Sequence, residues 1–329
     1  MDTEALLWMR RKALRRDYRF DNIRALLIFL VVFCHLCEAF CDPDNNSFYL
    51  VIYSFHIPCF LFISGYFSRF NAKKIVKHLL LPYAVFQILY SLYDCAYLNP
   101  QKEFVLQFTF PYWIMWYLLT LFCCCLLIPV LKTPRPWAAA GILALLTILS
   151  LHIGTDNLAG YTGSLSRTVV FLPCFFFGYY SSTTFAPSLV EGLWYRRRIL
   201  IPVLAVIVVL NSFVLLNTGV STKLLYGAYS YKSANAAPWQ RFMVFAGAMV
   251  WMLLLLCLSP AKRIPVWTVI GQRTMPIYLL HGFLQRLFLH ESFFHFNDLG
   301  NYLLALSLTC TILVLLSCKP VYQIFKTLF

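Results

Sequence analysis

The chain has 329 residues, of which 60% are hydrophobic and only 12% are charged, a composition that a soluble globular domain does not tolerate. It predicts an all-α, polytopic membrane protein in a lipid bilayer, because apolar runs of about 20 residues cross membranes as helices. The formal net charge of +14 would suit a nucleic-acid-binding protein, but the basic residues form short clusters between apolar runs, so we expect no nucleic-acid partner.

The chain begins with a segment that is first apolar and then basic. Residues 1–20 contain ALLWM followed by RRKALRR. This pattern is typical of a helix that lies along the cytoplasmic surface of a membrane. We therefore predict a cytoplasmic N-terminal segment at 1–20, a membrane domain at 21–318 and a cytoplasmic tail at 319–329.

The first apolar run, RFDNIRALLIFLVVFCHLCEAFC at 19–41, carries a few polar residues at helical spacing. In a helix, Arg24 and His35 lie on nearly one face, about 16 Å apart along the axis. Asp21 and Glu38 fall within the same arc of about 100°. Such groups are costly inside a bilayer, so the row predicts a functional site. The alternative is that Asp21 and Arg24 lie at the lipid interface. In that case His35 and Glu38 merely form hydrogen bonds with neighbouring helices.

Ten apolar segments of roughly span length follow one another along the chain. We predict about ten transmembrane helices, at 21–40, 48–68, 77–97, 111–131, 137–153, 166–186, 198–216, 239–259, 267–290 and 300–318. When the connections are assigned alternately to two sides, 21 of the 27 Lys and Arg residues fall on one side and six on the other. The positive-inside rule then predicts a multi-pass protein of the cell membrane with both termini in the cytoplasm.

The outward connections are short except for residues 217–238, a polar and Tyr-rich loop that we expect to help bind a molecule outside the membrane. No internal repeat is found in the sequence. The Pro and Gly breaks do not fall at corresponding places in two halves, which disfavours an inverted-repeat transporter.

A second histidine at membrane depth, His281, lies in GQRTMPIYLLHGF, eight residues beyond Arg273. His281 and His35 both sit roughly 12 to 17 Å along helices that enter from the cytoplasmic side. At this shared depth the two imidazoles would line one polar cavity, unless His281 only joins two helices by a hydrogen bond. His56 precedes Pro58 near the outer end of its span, and for this residue a structural role is favoured over a functional one.

Most of the 12 cysteines lie inside apolar segments, where Cys behaves as a small hydrophobic residue. Cys34, Cys37 and Cys41 share a helical face beside His35 and mimic a metal site, but the sequence has no second ligand cluster with recognisable spacing. We therefore expect no metal. The sequence also lacks a cysteine-nucleophile signature, a glycine-rich phosphate loop and a zinc-protease helix motif.

Four motifs accompany the Arg24-x(10)-His35 spacing: FHIPCFLFISGYF in the second span, the basic run into LLPY after it, YWIMWYLLTLF in the fourth and IGQRTMPIYLLH in the ninth. With these motifs in this order, the chain resembles the membrane acyltransferases of acyltransferase family 3, especially the fucose 4-O-acetylase-like branch. The resemblance implies a ten-helix enzyme that moves an acyl group, usually acetyl, from cytoplasmic acetyl-CoA to a hydroxyl of a cell-surface or lipid-linked sugar. It also implies that His35 is the catalytic histidine and Arg24 its partner.

The physical chemistry of the polar residues agrees with such an enzyme. Arg24 would hold phosphates of the substrate acetyl-CoA by charge-assisted contacts, while the thioester reaches His35. His35 would act as a general base on the sugar hydroxyl, oriented by Glu38 or a neighbour and accompanied by His281, although an acyl-imidazole intermediate is a competing route. Further cationic residues predicted to bind the CoA phosphates are Lys73, Lys74, Lys77 and Arg273.

Two classes of function remain open at this point. The first is O-acyl transfer to a carbohydrate or glycan acceptor, with acetyl as the expected group and succinyl or another acyl group as the alternative. The second is a transporter or flippase of a glycan precursor, which also needs histidines and arginines at membrane depth. Release of CoA that depends on a sugar acceptor would distinguish the first class from the second.

Overall fold

The computed structural model describes residues 17–41, 47–101, 103–155, 160, 162–185, 189–291 and 298–329. Within these ranges the chain forms helices and no strands, which confirms the predicted all-α fold. Nearly all of the N-terminal segment predicted at 1–20 lies outside the described residues.

The helices are named here in chain order. They are α1 (Arg19–Phe40), α2 (Ser47–Phe67), α3 (Ala72–Leu98), α4 (Trp113–Leu131), α5 (Pro136–Thr155), α6 (Leu165–Thr183), α7 (Leu189–Tyr195), α8 (Arg197–Asn217), α9 (Thr222–Leu225), α10 (Tyr231–Ala234), α11 (Pro238–Leu258), α12 (Trp267–Gln272), α13 (Thr274–Glu291), α14 (Asp298–Leu316) and α15 (Lys319–Leu328). Two π-helical turns, Val76–Leu80 and Asp94–Leu98, are part of α3.

Eight helices in the described part of the chain are long and apolar enough to cross a membrane: α1, α2, α3, α4, α5, α8, α11 and α14. The helices α6 and α13 occupy the positions of the sixth and ninth predicted spans. The ninth span predicted at 267–290 is divided into α12 and α13, with Arg273 at the break. The structure thus shows a polytopic membrane protein, while the count of ten spans and the cytoplasmic termini stay predictions.

Helix α1 lies at the centre of the bundle, where it packs against α2, α11, α12, α13 and α14. The contact with α12 is unusually close, because a Cβ atom on Gly271 would lie 1.7 Å from the carbonyl oxygen of Asp21. Small residues allow such close approach between membrane helices. The glycine of the ninth-span motif therefore fixes the N-terminal part of α1 against α12.

The pair α2 and α6 is held together by two glycines. A Cβ on Gly65 would lie 1.9 Å from the Phe175 carbonyl oxygen, and one on Gly178 would lie 1.9 Å from that of Phe62. These contacts explain the glycine in the FISGYF motif as a packing residue. Both contacts lie in the C-terminal halves of α2 and α6.

Residues 217–238, which we call the cap, contain the short helices α9 and α10. The sequence predicts a polar loop that helps to bind a molecule, and this role stays a prediction. In the structure much of the segment is buried. Leu224 and Tyr231 of the cap pack in one cluster with Tyr49 and Ile52 of α2. The cap therefore closes over one end of the bundle instead of extending away from it.

The predicted cytoplasmic tail, residues 319–329, contains the helix α15. Phe325 and Phe329 at its end lie 5.9 and 6.3 Å from Phe86 of α3, measured between ring centroids. The tail is therefore packed against the bundle.

Candidate active site

A cavity of about 510 Å³ lies between α1, α2, α4, α6, α13 and the cap. It extends from Arg24, near the N-terminal end of α1, past His35 to Tyr226 and Tyr229 in the cap. Aromatic side chains form much of its wall: Tyr53, Phe60, Trp113, Trp116, Tyr117, Phe171 and Tyr278. Such a largely apolar cavity with a few polar groups is typical of a small-molecule site.

Helix α1 contributes one continuous stripe to this cavity. The lining residues from α1 are Arg24, Ile28, Val31, His35 and Glu38, which are three or four positions apart. This spacing places them on one side of the helix, as the sequence predicts for the three polar ones. The polar residues of α1 therefore face the interior of the bundle, and not lipid.

Arg24 is held at its end of the cavity by contacts on both sides. Its guanidinium lies 3.6 Å from Asp21 and 4.6 Å above the ring of Phe67. Gln272 of α12 in turn donates a hydrogen bond to the other oxygen of Asp21 at 3.0 Å. Asp21 thus links Arg24 to α12, which restricts the orientation of the guanidinium.

His35 is paired with a carboxylate that other groups fix in place. Its Nδ1 lies 3.4 Å from Glu38 Oε2. The hydroxyls of Tyr49 and Tyr53 donate to Glu38 Oε1 at 2.6 and 2.7 Å. A proton on Nδ1 would point at this carboxylate and leave a lone pair on Nε2, so the pair is equipped for proton transfer.

His281 packs against the ring of His35 at a similar depth, but it is only 1% exposed and is not one of the residues that line the cavity. The two ring centroids lie 5.5 Å apart with the planes 30° from parallel. Nδ1 of His281 lies 2.9 Å from the Ile277 carbonyl oxygen, to which it donates, whereas its buried Nε2 has no hydrogen-bond partner among the described residues. The rings of Trp113 and His35 meet edge to face, with centroids 4.7 Å apart. The backbone of Trp113 has a φ of 36°, in the left-handed region that Trp rarely adopts.

The other predicted CoA-binding cations do not line the cavity. Lys73, Lys74 and Lys77 are exposed near the start of α3. Arg273 donates to the Ser317 carbonyl oxygen at 2.6 Å, and its guanidinium lies 4.8 Å above the ring of Tyr322. Of the five cationic residues predicted to bind CoA, Arg24 alone lines the cavity. The roles of the other four stay predictions.

Two cavity residues were not selected by the sequence argument. His56 lines the cavity while its Nδ1 donates to the Ile52 carbonyl oxygen at 2.7 Å. Arg167 of α6 also lines the cavity, with its guanidinium 4.7 Å above the ring of Trp116. Arg167 is one of the six basic residues on the side with few positive charges, and that rarity is the signal that could have identified it.

Two of three comparisons with known proteins give a match. The profile of the acyltransferase domain matches residues 17–318, which include every helix from α1 to α14. Nodulation protein NolL of Sinorhizobium fredii is 23% identical over 313 residues, a match that covers 83% of this chain and 79% of NolL. No solved structure matches the chain. Because the profile covers the whole helical bundle around the cavity, the chain belongs to the acyltransferase domain family, acyltransferase family 3.

Proposed function

We propose that this membrane acyltransferase moves an acetyl group from acetyl-CoA to a hydroxyl of a cell-surface or lipid-linked sugar, as in the fucose 4-O-acetylase-like branch of the family. The observation that carries this proposal is one cavity that connects Arg24 with the cap and has the His35–Glu38 pair on its wall. A donor at one end and an acceptor at the other would meet beside His35.

The Arg24 end suits the donor. CoA is too polar to cross a bilayer, but its pantetheine arm is about as long as the separation of Arg24 and His35 along α1, roughly 16 Å. A guanidinium forms paired, charge-assisted hydrogen bonds with phosphate. In this proposal Arg24 binds CoA phosphate on the cytoplasmic side, within the positive field of Lys73, Lys74, Lys77 and Arg273.

The cap end suits a carbohydrate acceptor. The C–H groups of a sugar ring pack against aromatic side chains. Four such side chains line the cavity between His35 and the cap: Trp113, Trp116, Tyr226 and Tyr229. Polar groups in the same wall, such as Arg167, provide hydrogen bonds to sugar hydroxyls. A cavity lined in this way recognises a molecule that is apolar on its faces and polar at its edges.

In the proposed reaction, Nε2 of His35 takes the proton of the acceptor hydroxyl while the oxygen attacks the thioester carbon. The new C–O bond forms, the C–S bond breaks, and the imidazolium returns the proton to the CoA thiolate. Glu38 orients the imidazole and stabilises its charged form, and His281 holds the ring plane by stacking. In the alternative route, Nε2 first takes the acyl group itself and passes it to the acceptor.

The experiment uses the full chain in nanodiscs, with acetyl-CoA and a panel of methyl glycosides. We expect CoA release that requires an acceptor, and an acetylated sugar detectable by mass spectrometry. Succinyl-CoA serves as the test of the alternative acyl donor. The proposal would be contradicted by CoA release that does not depend on the acceptor. It would also be contradicted by glycan movement across the bilayer without acyl-CoA, which would favour a transporter.

A further inference from the structure

The cap is connected to the His35–Glu38 pair by a continuous series of contacts. Arg167 Nε donates to the backbone carbonyl oxygen of Tyr226 at 3.1 Å. The hydroxyl of Tyr226 lies 3.2 Å from that of Tyr49, which donates to Glu38 Oε1 at 2.6 Å. The second oxygen of Glu38 faces His35 Nδ1. Tyr226 is therefore the one cap residue in this series, and it joins α6 to the carboxylate.

The packing around Tyr226 gives this connection a defined geometry. Its ring meets that of Tyr53 edge to face, with centroids 5.5 Å apart, and the rings of Tyr53 and Tyr49 stack at 4.2 Å. Tyr49 is only 1% exposed. Tyr226 nevertheless lines the cavity, so a molecule at the cap end touches the residue whose hydroxyl contacts Tyr49.

The weakest step in the series is the last one. The bonds from the tyrosines to Glu38 are short, whereas the distance from Glu38 Oε2 to His35 Nδ1 is 3.4 Å, longer than the usual 2.7–3.2 Å of an N–H···O bond. Catalytic hydrogen bonds commonly tighten only once substrate is bound. A movement of the Glu38 carboxylate by about 0.2 Å towards Nδ1 would bring the pair into that range.

We propose that Tyr226 is a positioning residue that couples the acceptor to the base. An acceptor in the cap end presses on Tyr226, which moves Tyr49 and closes Glu38 onto His35. His35 is then an effective base only when an acceptor hydroxyl is present to receive the acyl group. Without an acceptor, water hydrolyses the bound acyl-CoA only slowly. This inference rests on the proposed function and names a residue that controls it.

The first test is Tyr226→Phe, which keeps the ring and removes the hydroxyl. The loss of one hydrogen-bonded contact to a charged network predicts a decrease of about tenfold in kcat for transfer. The KM for acetyl-CoA stays unchanged, because the donor binds at the Arg24 end. Tyr231→Phe is the matched control, because its hydroxyl anchors the cap to the Leu151 carbonyl oxygen and does not reach Glu38. Equal losses of kcat in both variants would show that the cap is merely structural.

The second test is a double-mutant cycle with Glu38→Gln. If Tyr226 acts through the carboxylate, Tyr226→Phe changes kcat by less than about twofold in the Glu38→Gln background. Independent, multiplying losses would overturn the coupling. Wild-type protein in the same nanodiscs separates the two proposals: active wild type with independent losses overturns only the role of Tyr226. An inactive wild type overturns the proposed function as well.

Discussion

Helices α1 and α8 both meet the length and composition of a membrane span, yet they occupy opposite environments in the bundle. On α8, Ile199 and Val209 are 72% and 65% exposed, as expected for a helix that faces lipid. On α1, Leu27 and Val32 are fully buried. Arg24, His35 and Glu38 of the same helix line the central cavity. Apolar composition therefore indicates that a helix crosses the membrane, and ionisable residues at helical spacing indicate which helix faces a functional interior.

The largest expected effect comes from replacing the central polar residue of α1. We expect His35→Gln to lower turnover by a factor on the order of 10² to 10⁴, because glutamine keeps a polar end but cannot accept and return the hydroxyl proton. Binding of acetyl-CoA should stay near normal. Turnover and equilibrium binding are measured for the same preparation in nanodiscs.

The matched control for this prediction is His290→Gln. His290 lies near the end of α13, its side chain is 41% exposed, and it does not line the cavity. Its replacement should leave turnover unchanged. If His35→Gln lowers only the amount of folded protein and leaves activity per folded molecule intact, α1 is a structural helix and its difference from α8 has no catalytic meaning.

A smaller effect is expected for the carboxylate one turn further along α1. Glu38→Gln keeps the size of the side chain and its contacts with Tyr49 and Tyr53, but it removes the charge that faces His35. We expect kcat to fall by about ten- to a hundredfold with little change in the KM for acetyl-CoA. A change confined to that KM would mean that Glu38 lies in the donor site and does not orient His35.

Much of α1 could be predicted from sequence because each signal is local. The spacing of Arg24, His35 and Glu38 follows directly from helix geometry, and their unfavourable transfer into lipid marks them as functional. The network around Tyr226 could not be predicted in this way. Tyr49 and Tyr226 are 177 positions apart, and no periodic pattern relates a residue of α2 to a residue of the cap.

The cationic residues show a different limit of sequence analysis. Lys73, Lys74 and Lys77 form a basic cluster that either fixes topology or binds an anion, and composition does not distinguish these roles. The position of Arg273 depends on tertiary packing, because Ser317 and Tyr322, its two contacts, lie more than 40 positions later. The burial of the cap was missed for the same reason, since its helices are too short to show a hydrophobic period.

The next prediction concerns the donor end of α1. Arg24→Lys keeps the positive charge but removes the planar fork that pairs with phosphate. We expect the KM for acetyl-CoA to rise about tenfold, with a smaller decrease in kcat. Arg198→Lys is the control from α8, where Arg198 is exposed and does not line the cavity. Unchanged donor binding together with lost turnover would assign Arg24 to the chemical step.

The smallest effect is expected on α8. The same substitution, Val to Ala, is made on α1 and on α8 to compare the burial of the two helices. Val32→Ala removes two methyl groups from a buried position in α1, and the resulting cavity should lower the free energy of unfolding by about 2 kcal/mol. Val209→Ala removes the same groups from a surface that lipid chains refill, so the change should stay within about 0.5 kcal/mol. Thermal unfolding of both variants in one lipid composition measures the difference, and acetyl transfer at low temperature should stay near wild type for Val209→Ala. If Val209→Ala destabilises the protein as much as Val32→Ala, then α8 is covered by protein in the membrane and its exposed face is an interface.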